Sequence, residues 1–215
     1  MTTRPDVQRR HRQRREEIRR LLLDAARELL EEMPWSELSI ELIAERAGLT
    51  RTAFYKYFDD RRELLLQLLE ELAGRLEQIP APWQSAEREQ EPRQLLVDAL
   101  GALVEIFHTH GRLLRALADE ATQDGEVAER YMELGARLSG NVADRISRDV
   151  ASGASVLEDS REVAAALVWM NERYLQQRFG RAPLGDPARA TAALAEVWLR
   201  TVYGIAANDG ESAGR

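Results

Sequence analysis

Residues 39–60 read SIELIAERAGLTRTAFYKYFDD. Ile40, Ile43, Ala44 and Ala47 recur at helical spacing and make one apolar face. Gly48 follows, a residue that takes positive φ at a helix end without cost, so the helix stops there. Leu49 is an apolar plug after the turn. Thr50 is suited to cap a second helix, because its hydroxyl accepts an unpaired backbone N–H. That helix, expected over 51–57, buries Phe54 and Phe58 and turns Arg51, Thr52, Tyr55, Lys56 and Tyr57 outward. Two short helices set at a glycine turn, the second showing donors and aromatics, make a helix-turn-helix reader. Such a helix fits the major groove, where Arg, Lys and Thr reach base edges.

The longer run LTRTAFYKYFDDRRELL, residues 49–65, resembles the DNA-binding signature of the TetR family of one-component transcriptional repressors. Phe54, Tyr55, Tyr57, Phe58 and Arg61 stand where that signature has its aromatics and its basic residue. Asp59–Asp60 replaces the family's usual proline–serine or proline–asparagine, and Arg61 its usual lysine. Phe54 and Phe58 are expected to be core. Arg51, Thr52 and Lys56 are expected to set sequence preference, and Tyr55, Tyr57 and Arg61 to hold phosphates. Ser39 and Thr50, at the two helix starts, complete the candidate DNA-contacting set.

Composition limits the alternatives. The 215 residues suffice for a real core in one or two domains. Without cysteine, neither a disulfide framework nor a thiolate metal site is possible. No apolar run reaches membrane-spanning length, and the arginine-rich start has no apolar segment behind it, so a cytoplasmic protein is expected. The net charge of −7 is unevenly placed. Residues 1–61 hold 13 basic and 12 acidic side chains and the rest 17 and 25, so the acidity lies away from the reader.

In chain order, residues 1–15 have almost no apolar content and are expected to be a disordered arm. Their arginines serve either as extra DNA contacts or as a solubilising tail. The DNA-binding domain is expected over 16–62. Its first helix, 16–32, carries the stripe Ile18, Leu22, Ala25, Ala26, Leu29 and Leu30. Asp60 with Glu63 resembles a capping box that opens a fourth helix. Residues 79–92, with three prolines, read as a linker. Further helices are expected over 93–109, 112–120, 124–150, 158–179 and 187–207, with Gly111 as a break and 208–215 as a flexible tail. With no period-2 run, the fold is all-α, of about nine helices, and residues 63–207 form its C-terminal domain.

LVWMNERYLQQRF, residues 167–179, and VWLRTVYG, residues 197–204, are similar to the last two helices of the ethionamide-resistance (EthR-like) subgroup of the same family. That likeness implies a body that binds a small, elongated, mostly apolar effector and dimerises through its last two helices. Spacing alone groups Leu103 with Phe107. It also groups Tyr131, Gly135, Leu138 and Val142, with Asn141 beside them, and Met170, Asn171 and Tyr174. With Trp198 these read either as an ordinary core or as an apolar pocket with an amide anchor. His108 and His110 lack a third ligand, so no metal or other cofactor is expected. No phosphate loop or serine elbow points to an enzyme. Two functions remain. One is a repressor that binds a palindromic double-stranded operator as a homodimer and is released by the effector. The other is an accessory DNA-binding protein whose body only dimerises.

Overall fold

Strong helix formers free of glycine and proline favour a helix, and residues 6–32 hold neither glycine nor proline. In the computed structural model, which describes residues 4–79, 92–155 and 157–204, helix α1 spans Arg4–Glu32. The expectation of a disordered arm over 1–15 is therefore corrected from residue 4 onward. Pro5 sits in the first turn, where no N–H is required. Arginine, glutamine and glutamate continue the helix on propensity alone. The missing apolar stripe reports only that this part has no buried face: Arg12 through Glu17 are all exposed.

A 3-10 turn, Trp35–Glu37, leads to α2, Ile40–Arg46, then α3, Arg51–Phe54, and α4, Arg61–Gln78. Leu22, Ala26, Leu29, Ile43, Phe54, Phe58, Leu64 and Leu68 form the core of this N-terminal unit. Phe54 and Phe58 are 0 % and 1 % exposed, each worth about 1.5–3 kcal/mol of burial. Arg46 reaches Glu32 on α1 at 2.7 and 2.9 Å. That hydrogen bond holds the Glu32 carboxyl below the usual carboxylate range. The pair is solvent-exposed, so it orients α2 more than it stabilises it.

One compact unit ends at Glu70 and the other begins at Glu71, so α4 runs through the boundary. The second unit holds the end of α4, then α5, Pro92–Glu120; α6, Gly125–Ala151; α7, Ser160–Phe179; and α8, Pro187–Tyr203. The described residues thus form eight α-helices and one 3-10 turn, all-α as expected. The linker expected over 79–92 lies outside the described residues except at its two ends, as does the tail 208–215.

The run 92–120 breaks where expected: His110, beside Gly111, has non-helical φ −121 and ψ 16, so two helical segments meet there at a kink. The glycine is there for space: a Cβ at 111 would lie 2.4 Å from the backbone oxygen of Phe179 on α7. Aspartates 124, 159 and 186 cap α6, α7 and α8 by accepting backbone N–H groups. The largest packing faces are α6 on α7 and α5 on α8. On α6 the apolar stripe gives way to a buried ion pair, Arg145 with Asp149 at 3.0 Å, to which the Tyr203 hydroxyl donates at 2.7 Å. Removing one member would leave an uncompensated buried charge, so this pair ties α8 to α6.

Candidate DNA-reading face and apolar cavity

The reading face is built by local rules. The Ser39 hydroxyl accepts from Leu42 N at 3.2 Å and starts α2. Gly48 has φ +69, and Leu49 N returns to Ala44 O at 2.8 Å to close the turn. The Thr50 hydroxyl accepts from Ala53 N at 3.1 Å and starts α3. The α-helical ladder is shorter than expected, ending at Phe54 rather than Tyr57. Lys56 N to Ala53 O (3.1 Å) and Tyr57 N to Phe54 O (2.9 Å) continue it with the tighter 3-10 pattern.

Arg51, Thr52, Tyr55 and Lys56 are exposed, whereas Tyr57 and Ser39 are half-buried. Arg51 pairs with Glu41 of α2, donates to the Tyr55 hydroxyl at 3.2 Å, and lies 5.7 Å from that ring. Arg19 on α1 fixes the far side of the turn. It donates to Tyr57 O and Gln67 Oε1, both at 3.0 Å, and sits 4.6 Å over the Phe58 ring. Beside this, Arg14, Arg15, Lys56 and Tyr57 line an open depression. Three cations and a phenol around one hollow suit a phosphate. The helical extension of α1 creates that grouping.

Arg61, expected to hold a phosphate, has partners within its own unit. Its Nη1 donates to Leu38 O at 2.7 Å and Trp35 O at 3.1 Å, and the guanidinium lies 5.2 Å from the Trp35 ring. It adds a second bond to Trp35 O, which already accepts from Leu38 N, and one to Leu38 O, so it braces the 3-10 turn against the start of α4. Asp60 and Glu63 cap α4 as read from sequence, with Glu63 N on Asp60 Oδ1 at 2.8 Å. Glu63 Oε2 accepts from Asp59 N at 2.6 Å, one residue earlier than in a standard box.

The second unit holds a partly open cavity of about 110 Å³ with almost wholly apolar walls. Leu103, Phe107, Tyr131, Gly135, Leu138, Val142, Asn171 and Trp198 from the sequence-based set line it. Asn141, Met170 and Tyr174 do not. Successive residues turn about 100° around a helix, which sets Val168 and Glu172 opposite Met170 and Tyr174 on α7. The latter pair shares the outer face with Val163, Ala166 and Arg173, and all are at least partly exposed. The walls absent from the sequence-based set include Leu76 and Ile79 at the end of α4, Leu96 and Leu100 on α5, and Trp169 and Glu172 on α7.

Gly135 again supplies space: a Cβ there would lie 2.4 Å from Cζ2 of the Trp169 indole. Asn171, 4 % exposed, accepts from Trp198 Nε1 at 3.0 Å. The Tyr131 hydroxyl donates to Glu172 Oε1 at 2.6 Å and accepts from Gln176 Nε2 at 3.0 Å. Burial, with the Glu172 carboxylate beside it, pushes the Tyr131 phenol well above its ordinary value, so it stays a proton donor. Glu172 bonds Tyr131 and Gln176, and Arg173 is exposed. His108 packs edge-on against Phe179, and His110 Nε2 lies 3.1 Å from Arg75 Nη1.

Comparison with known proteins follows this division. Residues 22–68 match the family model of bacterial regulatory proteins of the TetR family, and residues 96–204 match that of the EthR transcriptional regulator C-terminal domain. The chain is 28% identical over 187 residues to the HTH-type transcriptional regulator EthR of Mycobacterium tuberculosis, covering 85% of this chain and 86% of that protein. It is 25% identical over 193 residues to EthR of Mycolicibacterium smegmatis, with 85% of each covered. Among solved structures it shares its fold with NalD, the secondary repressor of the MexAB-OprM multidrug efflux pump in Pseudomonas aeruginosa. That likeness has a TM-score of 0.68 at 24% identity and covers 87% of this chain and 98% of NalD. It also resembles SmeT of Stenotrophomonas maltophilia, with a TM-score of 0.67 at 19% identity, covering 84% of this chain and 88% of SmeT.

Proposed function

The chain belongs to the TetR family of DNA-binding transcriptional regulators, with an EthR-type C-terminal domain, and from that premise we propose a ligand-released repressor acting as a cytoplasmic homodimer. The family is one of regulators, not enzymes. Arg51, Thr52 and Lys56 read bases, while Tyr55, Tyr57, Arg14 and Arg15 hold phosphates, with Ser39 and Thr50 at the helix starts. A two-fold dimer fixes two reading heads on a palindromic operator, with half-sites roughly 34–36 Å apart or a multiple of that.

The observation that carries the ligand response is where α4 ends. Its first turn is capped by Asp60 beside the reading helix, and its last turn supplies Leu76 to the cavity wall. A small apolar molecule seated there bears on the end of the helix whose first turn follows the reader. It shifts the equilibrium only as far as it prefers the released form over the DNA-competent one. Dimerisation is supported by the faces that α7 and α8 leave uncovered. Of the apolar residues on α7 and α8, Leu167, Leu175, Leu194, Trp198, Leu199 and Val202 are buried within the unit. Val163, Ala166 and Met170 on α7 and Ala193 and Val197 on α8 remain at least partly exposed, enough for an isologous four-helix contact.

The test uses Gly135→Leu. Its side chain must displace the Trp169 indole. The unsubstituted protein is expected to respond to an apolar probe, pentylbenzene, with a raised melting point, and the variant is expected to lose that response. The readout is operator anisotropy with and without the probe. A folded Gly135→Leu that is released as fully as the parent would remove this cavity from the mechanism.

A further inference from the structure

Glu172 is out of character with the cavity it lines. The surrounding walls are leucine, valine, phenylalanine and tryptophan. Its hydrogen bonds come from two neutral groups, Tyr131 and Gln176, and both fall on Oε1. Because the Tyr131 oxygen also accepts from Gln176, the phenol's single proton is directed to Glu172. Oε1 thus accepts twice. Among the described residues Glu172 has no cationic partner, and its Oε2 has no hydrogen bond. The carboxylate is half-buried, and a ligand that closes the cavity over it strips its remaining water, which is costly unless the ligand brings a positive charge. A neutral apolar ligand would carry that cost, whereas a cationic one removes it.

We infer that the effector is an apolar molecule bearing a protonated amine at one end, with Glu172 as its counter-charge. This rests on the ligand-responsive reading above and narrows it. Tyr131 and Gln176 are positioning residues: they hold Oε1 and leave Oε2 to the ammonium group. The apolar body lies along Phe107, Leu138 and Trp198.

Three matched probes test this on the full chain at pH 7: 4-phenylbutylamine, 4-phenylbutan-1-ol and pentylbenzene. They share a ring and a chain, and differ in whether the end is charged, merely a donor, or neither. Calorimetry is expected to show the amine binding at least tenfold tighter than both others. In Glu172→Gln the amine is expected to fall to within about threefold of the alcohol. In Tyr131→Phe, which keeps the carboxylate, the preference for the amine should persist. If the amine binds no tighter than pentylbenzene, the counter-charge is wrong while the ligand-responsive reading stands. If none of the three binds, both fall. The comparison within the unsubstituted protein decides this even if Glu172→Gln does not fold.

Discussion

Trp198→Ala is expected to destabilise the C-terminal unit by about 3–5 kcal/mol, the range for removing a buried aromatic. The indole is 3 % exposed, forms part of the cavity wall and donates to Asn171. Trp198→Phe separates two contributions. It keeps most of the packing but removes that donor from the Asn171 carbonyl, at about 1–3 kcal/mol. Urea denaturation followed by far-UV circular dichroism measures both. An alanine variant within about 1 kcal/mol of the parent would mean that residue 198 is not in a packed wall. The same truncation enlarges the cavity, so bulkier apolar probes should bind Trp198→Ala than bind the parent.

The second large effect is expected on DNA. Arg51→Ala and Lys56→Ala should each cost about 1–3 kcal/mol at the preferred operator if each loses a specific contact. Lys56 is expected to matter more. Arg51 must first leave Glu41 and the Tyr55 ring, though that pair is exposed on both sides and yields at little cost. Lys56 also borders the depression with Arg14 and Arg15, which gives it a second role to be excluded. Binding-site selection on each variant distinguishes the two. A base reader changes the selected motif. A phosphate holder leaves the motif unchanged and lowers the salt dependence of binding by about one ion. An unchanged motif for Lys56→Ala would reassign it to the phosphates.

The reading head was legible because short-range rules govern it. Gly48 at positive φ, Thr50 and Asp60 as caps, and the buried Phe54 and Phe58 all follow from residues within a few positions of one another. The hold of Arg61 on Trp35 and Leu38 is not legible in sequence, because those residues lie more than twenty positions away. The start of α1 was missed for a different reason. An amphipathic stripe detects only helices with a face to bury, and residues 4–15 form a helix on propensity. In the body, Gly111 reads locally as a helix break, and the break falls beside it at His110. The passing backbone of Phe179, which also demands a glycine at 111, is a contact no local pattern contains. Counting 100° steps along α7 does not set Tyr174 apart from Asn171, since it lies 60° to one side as Val168 does to the other; only packing shows which side faces the cavity. Leu76, Ile79 and Leu96 could not have been placed in the cavity, because only tertiary packing brings α4 and α5 to it.

The central claim is that one molecule joins an operator reader to a ligand-filled body. Footprinting the purified chain on the DNA around its own gene, with and without 4-phenylbutylamine and pentylbenzene, tests that claim most directly. The expected result is a protected, two-fold-symmetric site whose half-sites are one helical turn apart or a multiple of it, lost when a probe occupies the cavity. A symmetric footprint that persists while calorimetry shows the cavity filled would contradict it.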